Sequence, residues 1–340
     1  MLRILHNTNY DFIRHWRKAV IAVVAFIVPA IVWILVSGFN YSIEFTGGTL
    51  VQLEFEQAPD VGTIRDRLGS AGLGNVEIQT FGSPRELVIR AQGAEAIAQQ
   101  TTGADSAART IRTALNAEFG ADAYRVVRTE NVGPKVGGEL QRNAIIALLL
   151  SFLITMAYLA WRFEWRFGVA ALIATLHDIA ATVAFMKYMN IEVSLFVVGA
   201  ILTVIGYSLN DTIVVFDRVR ENLRAHRKPD LVSLLNRSVN ETLPRTVMTG
   251  TTTLATLLAL LIFGGQVIRP FAWILLFGIL VGTFSSVFVA SPVLLWIERR
   301  WPRQGDAPIA DRPRPAVASA GGRDVGAPRA PERPAPRAAR

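Results

Sequence analysis

The side chains in this chain that could carry chemistry are polar and charged groups within or beside long apolar stretches. Asn210 and Asp211 lie inside one stretch, and Arg245 stands at the start of the next. A charged group in hydrocarbon costs roughly 2.5–3.5 kcal/mol on the insertion scale, so such groups mark functional or paired sites. Because consecutive stretches cross in opposite directions, Asp211 and Arg245 are expected at similar depth. They are predicted to form an intramembrane ion pair, which either couples proton movement or only fixes two helices.

A second polar pair, His177 and Asp178, lies at the centre of the preceding apolar stretch. Adjacent residues on a helix diverge by roughly 100°, so we expect the two not to share one narrow site. His177 can be a satisfied core imidazole, whereas a buried Asp178 needs a partner or a proton. Together with Asp211, Asp178 could form a chain of protonatable carboxylates, which is typical of a proton path.

Six apolar blocks must position these groups. The chain is 51% hydrophobic and 18% charged, with a mean hydropathy of +0.34. Average soluble chains carry about 25% charged residues, so an ordinary soluble enzyme is excluded. Blocks of the roughly 17–25 residues that cross a bilayer occur at 19–37, 144–161, 167–186, 193–216, 246–263 and 271–297. The sequence predicts an α-helical membrane protein with six transmembrane helices, the first an uncleaved signal-anchor.

The distribution of basic residues predicts the orientation, because Lys and Arg accumulate in cytoplasmic loops. Residues 1–18 carry four Lys and Arg against one Asp, the segment 217–245 carries seven, and the chain beyond residue 297 carries ten. Both termini are therefore expected in the cytoplasm and residues 38–143 on the outer side. This topology explains the formal net charge of +8, so contact with membrane lipid is expected and nucleic-acid binding is not. With no Cys and four His, no metal or cofactor is expected.

Residues 38–143 are predicted to fold as one outer domain. Alternating strand patterns occur at 49–56, 75–81, 86–92 and 124–130, and helical patterns at 60–71 and 105–119, with a turn at Gly82-Ser83-Pro84. The order βαββαβ is typical of a ferredoxin-like α+β sandwich, and about 100 residues suffice for one small core. The predicted core residues are Leu53, Phe55, Ile64, Leu68, Ile78, Val88, Ile111, Leu115 and Val126.

Glycine and proline supply two further expectations. Within the spans, Gly199, Gly206, Gly278 and Gly282 are predicted to permit close helix packing. The last segment, residues 298–340, contains 8 of the 16 prolines together with many Ala and Arg. Such a segment cannot bury a core, so it is expected to be a disordered cytoplasmic tail.

Several long motifs resemble the SecD/SecF family, in order, from residue 1 to about 300. They are EFTGGT at 44–49, VGPKVGGEL at 132–140, LNDTIVVFDR at 209–218, Leu176-His177-Asp178, Arg245-Thr246, GTFSS at 282–286 and Ala290-Ser291-Pro292. The resemblance implies a half-transporter of the RND superfamily in the bacterial inner membrane. Its implied role is that of an auxiliary protein-export subunit, which uses the proton motive force to complete translocation of exported unfolded polypeptides.

The resemblance also implies partners and site residues. The partners are SecD, the SecYEG channel and YajC, with SecA acting indirectly through the early ATP-dependent steps. The family's intramembrane Asp and Arg fall on Asp211 and Arg245, and we add Asn210, Asp178 and His177 as candidates for proton coupling. No cofactor and no catalytic residue is implied, so the chain is not expected to be an enzyme.

Movement of the outer domain would need hinges beside the membrane. The hinge candidates are Gly47, Gly48, Gly133, Pro134 and Gly137, although these residues could equally make tight turns. The residues leave other functions open, namely a small-molecule exporter subunit of the same superfamily and an assembly scaffold that does not couple to the gradient. An intramembrane enzyme is disfavoured because the sequence lacks HExxH, paired Asp in a protease context, and Cys. The coupling ion stays open between protons and sodium.

Overall fold

The computed structural model describes residues 8–73, 76–91, 106–225 and 230–302. A 3-10 turn at Ile13–His15 leads into α1 (Trp16–Ser37), which ends at Gly38 with a φ of +66°. Most apolar side chains of α1 are exposed, and only Ala19 and Ala30 are buried. This exposure suits a helix whose surroundings are lipid, because a lipid-facing helix needs no protein partner for its apolar side chains.

A sheet domain follows α1. Its elements are α2 (Ile43–Thr46), β1 (Gly48–Phe55), α3 (Val61–Ser70), β2 (Val76–Phe81), β3 (Ser83–Ala91), α4 (Ser106–Phe119) and β4 (Tyr124–Val132). The strands form one antiparallel sheet in the order β2-β3-β1-β4. The predicted ferredoxin-like βαββαβ arrangement is therefore confirmed. Three predicted element ends, at Asn75, Gln92 and Asp105, lie outside the described residues.

Local sequence signals explain two boundaries of the sheet domain. Asp60 caps α3, because its carboxylate accepts hydrogen bonds from the backbone N–H groups of Gly62 and Thr63. The hydrogen bond from the Thr63 hydroxyl is the main reason why the pKa of Asp60 is lowered. Gly82, at a φ of +80°, makes the β2–β3 turn, and Phe81 pairs with Ser83. The turn is shorter than predicted, since Ser83 and Pro84 already belong to β3.

The core of the sheet domain lies between the sheet and its two longer helices. Seven of the nine predicted core residues belong to one buried cluster: Leu53, Phe55, Ile64, Leu68, Ile78, Ile111 and Leu115. Val88 is buried outside that cluster, pairing with Gln52 on the other face of the sheet. The prediction for Val126 is wrong. It is 37% exposed, because β4 is an edge strand and its register shifts beside Val126.

Long helices make up the rest of the described chain. They are α5 (Pro134–Arg162), α6 (Trp165–Tyr188), α7 (Leu195–Ala225), α8 (Leu231–Phe263), α9 (Gly265–Ser285) and α10 (Ser291–Arg300), with a π-helical segment, Ser286–Ala290, between the last two. With α1, and with α9 to α10 counted as one, six helical stretches are long and apolar enough to cross a membrane. The prediction of six spans is confirmed.

Two helices extend far beyond the predicted apolar blocks. The segment 217–245, expected as a cytoplasmic loop, is mostly the end of α7 and the start of α8. Hydrogen bonds hold these ends together as a helical hairpin, including Asn222 to Ser238 at 3.0 Å and Arg218 to Glu241 at 2.6 Å. The sequence prediction ended both helices too early. Hydropathy detects only the apolar part of a helix, whereas packing between helices also stabilises polar helical turns.

The ends of the described chain lie against this helical hairpin or close to it. The backbone N–H of Tyr10 donates to the Asn240 side chain at 2.9 Å, and that of Ile13 donates to Asn236 at 3.0 Å. At the other end, α10 continues to Arg300, so the first three residues of the expected tail are helical. Residues 303–340 of that expected tail lie outside the described residues.

Candidate functional site

Asp211 lies within α7 and is 8% exposed. Thr246 of α8 donates a hydrogen bond to one carboxylate oxygen at 2.6 Å, and Ser286 of the π-helical segment donates to the other at 3.0 Å. One carboxylate therefore holds three elements together. Serine and threonine hydroxyls can donate to a carboxylate or accept from a carboxylic acid, so these partners suit either protonation state.

Arg245 does not form the expected ion pair. Among the described residues, no hydrogen bond and no ion pair within 4.0 Å joins it to Asp211. Thr246, the next residue in the chain, takes the carboxylate instead, because a short side chain on α8 reaches it directly. Both Arg245 and Asp211 line one polar cavity of about 60 Å³. Arg245 is exposed, as expected of a long side chain that extends its guanidinium towards water.

The same cavity shows what surrounds the two charged groups. Its lining is Tyr207, Asn210, Asp211, Val214, Arg245, Thr246, Thr249 and Thr283. Asn210 is exposed, and the threonines that follow Arg245 along α8 at positions 249, 252 and 256 are exposed as well. In this chain, therefore, the polar stripe of α8 faces outward rather than into its own helix bundle.

Asp178 of α6 is another buried carboxylate, with no exposed surface. One oxygen contacts Nδ1 of His177 at 2.8 Å, and the other accepts hydrogen bonds from Ser208 and from Ser285, the latter at 2.8 Å. The expectation that His177 and Asp178 would not share a site is wrong. Their Cβ directions diverge, but the imidazole ring turns back over the neighbouring carboxylate. Nε2 of His177 is buried and has no hydrogen-bond partner among the described residues.

Consecutive serines connect the two carboxylates. Ser285 ends α9 and Ser286 begins the π-helical segment. Residues at a π-helical turn are displaced relative to regular helix, and such segments are frequent at functional sites. Sequence reasoning did not assign these serines a role, since a hydroxyl in an apolar helix most often bonds its own backbone. Both hydroxyls do also lie within hydrogen-bond distance of backbone carbonyls, those of Gly282 and Thr283. The doublet within GTFSS was the available signal.

The four predicted packing glycines divide into two pairs. A Cβ built on Gly278 would lie 2.3 Å from Cγ2 of Val204, and one on Gly282 would lie 2.7 Å from Cβ of Ser208. These two glycines of α9 thus allow close contact with α7. A Cβ on Gly199 or Gly206 would meet no described atom within 4 Å. The α7 surface that carries this second pair is therefore open in this chain.

The hinge candidates form two chain segments that lie in contact with each other. Gly47 and Gly48 adopt φ angles of +72° and +131° between α2 and β1, and Gly133 caps α5, which begins at Pro134. A Cβ on Gly137 would lie 3.0 Å from the backbone N of Gly47. The two glycine segments therefore form one close contact where the sheet domain joins the helices.

Further contacts between the sheet domain and the helices were not predicted. Glu44 accepts a hydrogen bond from the backbone N–H of Leu195, the first residue of α7, at 2.7 Å. Arg90 of β3 is 7% exposed and pairs with Glu192 in the α6–α7 connection. Burial raises the pKa of Glu192, an effect that Arg90 opposes. No sequence pattern links residues so distant in the chain.

The described part of the chain contains no cluster of three or more His, Asp or Glu side chains that could hold a metal ion. The polar groups that the structure brings together are buried carboxylates bonded to hydroxyls. Such groups exchange protons, and their contacts change when they do.

Comparisons with known proteins identify the family. The family model for protein export membrane protein SecD/SecF, C-terminal, matches residues 111–300, and the SecD/SecF GG motif matches residues 32–59. The Protein translocase subunit SecF of Gemmatimonas aurantiaca is 54% identical over 312 residues, which cover 91% of this chain and 93% of that protein. The protein of the same name from Desulfurispirillum indicum is 47% identical over 289 residues, covering 84% and 91%.

Solved structures agree with these relatives. The crystal structure of SecDF, a translocon-associated membrane protein from Thermus thermophilus, superposes with a TM-score of 0.78 at 35% identity and covers 88% of this chain. The super-membrane-facing form of SecDF gives a TM-score of 0.63 at 36% identity, with 87% covered. This chain spans 40% of the length of each SecDF chain. From its motifs, its fold and these matches, the chain belongs to the SecD/SecF family of protein export membrane proteins.

Proposed function

We propose that this chain is a subunit of the bacterial protein translocase that works with SecD and uses the proton motive force to complete protein export. The curated relatives are named as translocase subunits. The observation that carries the coupling role is Asp211, a carboxylate buried in α7 and held by hydroxyls from two other elements.

Protonation of Asp211 would change its contacts in a defined way. As an anion it accepts hydrogen bonds from both hydroxyls, Thr246 and Ser286. As a neutral acid it donates one hydrogen bond itself, so one hydroxyl must rotate, and the attraction to Arg245 across the cavity disappears. Each proton that crosses the membrane field releases about 2.3 kcal/mol per 100 mV, enough for a modest repacking of helices.

The other polar groups of the bundle have proposed roles around this switch. Asp178, with His177, would be a second protonatable group, connected to the first through adjacent serines. Asn210 lies at the exposed side of the Asp211 cavity, where it would guide protons or a partner side chain. The same geometry could serve sodium, so the test must vary the two ions separately.

Movement would reach the sheet domain through the contacts beside it. Gly137 touches Gly47, and Glu44 holds the first turn of α7. A shift of α7 against α5 would therefore act on both ends of α2. Glycines at this contact allow the sliding that bulkier side chains would block.

The open α7–α8 surface is the proposed contact with SecD. It combines Gly206 and Asn210 of α7 with the exposed threonines of α8. Small and polar residues are enriched where membrane helices meet, because they permit close approach and hydrogen bonds. SecYEG and YajC would be further partners, and SecA an indirect one. In this assembly the protein lies in the inner membrane with both termini in the cytoplasm, and its sheet domain faces the exported polypeptide.

Export from vesicles tests the coupling role. The Asp211→Asn variant keeps the size and most hydrogen bonding of the side chain but cannot exchange a proton. Asp217→Asn is the matched control, because Asp217 lies six residues further along α7 and is largely exposed. We expect Asp211→Asn to reach normal levels, to bind SecD and to start SecA-driven export. It should fail to release the exported reporter when a gradient is applied, whereas Asp217→Asn should release it.

The same assay distinguishes a subunit that couples to the gradient from an assembly scaffold that does not. Release by Asp211→Asn that an uncoupler still inhibits would contradict a role for this carboxylate. Replacing the proton gradient by a sodium gradient identifies the ion. A single Cys at Gly206 should crosslink to SecD, and one at lipid-exposed Leu149 should not. If Asp211→Asn exports normally and the Cys at Gly206 still crosslinks to SecD, the chain is an assembly scaffold.

A further inference from the structure

An apolar cavity of about 280 Å³ lies on the outside of the helix bundle, away from the Asp211 cavity. It is lined by α1, α6, the π-helical segment and α10, through Trp16, Val20, Ile173, Phe288, Val289, Pro292, Val293, Leu295, Trp296 and Arg299. This volume is close to the lower limit of small-molecule sites, about 300 Å³. It can therefore take one flexible hydrocarbon chain but no bulky ligand.

The lining is polar at one end only. Along α10, Arg299 lies seven residues beyond Pro292, which is roughly 10 Å along the helix axis. Trp16, at the start of α1, and Trp296 stand with Arg299 at the same end. Tryptophan and arginine at the edge of an apolar zone are typical of the membrane–water interface. The cavity thus has an apolar interior that faces hydrocarbon and a mouth at headgroup level.

The mouth is positively charged. The guanidinium of Arg17 lies 5.8 Å from the centre of the Trp16 ring. Arg299 is exposed, and within the described residues no acid lies within 4.0 Å of its guanidinium. Asp230, at the start of α8, is the acid in electrostatic reach of Arg299, and its carboxylate is bonded to Ser233. Two cations above an apolar cavity match the charge of a lipid phosphate.

We propose that this cavity binds one acyl chain of an anionic phospholipid, with Arg299 and Arg17 at its phosphate. Basic sites between transmembrane helices are suited to anionic headgroups. An apolar helix of another protein would cover Arg299 and Arg17 without adding a negative charge, whereas a lipid phosphate adds one, so the lipid is the better occupant. The site is separate from the surface proposed for SecD, because it is formed by α1, α6 and α10 rather than by α7 and α8.

The position of the cavity gives the lipid a consequence. Phe288 and Val289 belong to the same five-residue π-helical segment as Ser286, which donates to Asp211. An acyl chain beside Phe288 would support this segment from the lipid side. Bound lipid would therefore stabilise the geometry of the Asp211 hydrogen bond without touching it.

Native mass spectrometry of the detergent-purified full chain tests the site. The protein is titrated with phosphatidylglycerol or with phosphatidylcholine of identical acyl chains. We expect phosphatidylglycerol to be retained preferentially. Arg299→Gln should reduce its retention about tenfold, the change expected for loss of one charge-assisted hydrogen bond. Arg300→Gln is the matched control, since Arg300 is adjacent and equally charged but does not line the cavity.

A second pair of variants tests the interior. Val293→Phe fills the cavity and should abolish preferential retention, whereas Val24→Phe makes the same change on exposed α1 surface and should not. Equal retention of the two lipids would overturn the proposal. Equal losses of phosphatidylglycerol retention in Arg299→Gln and Arg300→Gln would also overturn it, because they would show that the lipid is attracted by the general positive charge rather than by a site. A co-purifying protein that crosslinks to position 293 and excludes lipid would identify a different occupant and overturn it as well.

Discussion

Ser285 and Ser286 are neighbours in the chain, yet their hydroxyls donate to carboxylates on different helices. Ser285 bonds Asp178 of α6 at 2.8 Å, and Ser286 bonds Asp211 of α7 at 3.0 Å. Regular helix directs neighbouring side chains about 100° apart, and the transition to π-helical geometry occurs between these two residues. The last transmembrane segment is therefore the element that Asp178 and Asp211 share.

Removing these hydroxyls one at a time should have different effects. Ser285→Ala should lower stability by about 1–3 kcal/mol, because Asp178 is fully buried and loses a donor. Ser286→Ala should lower stability less and impair gradient-driven release more, since Asp211 keeps Thr246. Thermal unfolding in detergent and the vesicle assay measure the two effects. Equal changes in both assays would mean that the serines do not have separate roles.

Adding one methyl group at a glycine separates contacts within the chain from contacts with a partner. Gly278→Ala should destabilise the isolated chain by roughly 1–3 kcal/mol, because its Cβ would lie 2.3 Å from Val204. Gly206→Ala, where a Cβ would meet no described atom within 4 Å, should leave the melting temperature unchanged. Instead it should reduce the amount of SecD that co-purifies. Destabilisation of the isolated chain by Gly206→Ala would contradict this division.

The core of the sheet domain should respond to truncation. Ile64→Ala should cost about 2–5 kcal/mol, because Ile64 has no exposed surface and lies between α3 and the sheet. Val126→Ala is the control, since Val126 is 37% exposed and should change stability little. Hydrogen exchange of the amides in β1 and β3 reports both variants. Similar exchange rates in Ile64→Ala and Val126→Ala would show that the buried Ile64 contributes no more to stability than the exposed Val126.

The contact between the sheet domain and the α6–α7 connection should strengthen at lower pH. Burial raises the pKa of Glu192; Arg90 opposes this shift, and Glu77 and Glu44 add to it. When the domain is undocked, the pKa should return towards its ordinary value of 4.5. The docked state therefore binds the proton more tightly, so docking is favoured as pH falls through the raised pKa and weakened as pH rises.

Spin labels can measure this docking directly, because the chain has no native Cys. Labels at Arg85→Cys and Met189→Cys, both exposed positions, span the contact. The distance distribution should narrow as the pH is lowered from above the raised pKa of Glu192 towards 4.5. That of Glu192→Gln should be narrow throughout this range, because the amide stays neutral. Broadening on acidification would show that attraction to Arg90 outweighs the effect of burial.

Much of this architecture could be predicted because it depends on local patterns. Six apolar blocks located the spans, and the alternation of apolar residues located the four strands. The helical pattern at 60–71 located α3, which Asp60 caps. Such features are fixed by neighbours in the chain, so a single sequence contains them.

The contacts that define the candidate site could not be predicted, because they depend on small differences in reach between helices. Membrane depth alone predicted that Arg245 would pair with Asp211, but the shorter Thr246 donates the hydrogen bond to this carboxylate. The π-helical turn that aims Ser286 has no hydropathy signature. Pairs such as Arg90 with Glu192 join residues about one hundred positions apart, and only the folded chain brings them together.

Because α7 is longer than the hydrocarbon layer is thick, a tilt of this helix at Asp211 would also move the part of it that lies outside the membrane. The helix has 31 residues, roughly 46 Å, against a hydrocarbon thickness of about 30 Å. Its end at Ala225 lies 14 residues beyond Asp211, so a tilt of about 10° at the carboxylate would displace that end by roughly 4 Å. The helical hairpin, to which the N-terminal segment is also bonded, would then act as a lever. A protein that contacts the end of α7 or the start of α8 would then respond to the proposed protonation of Asp211.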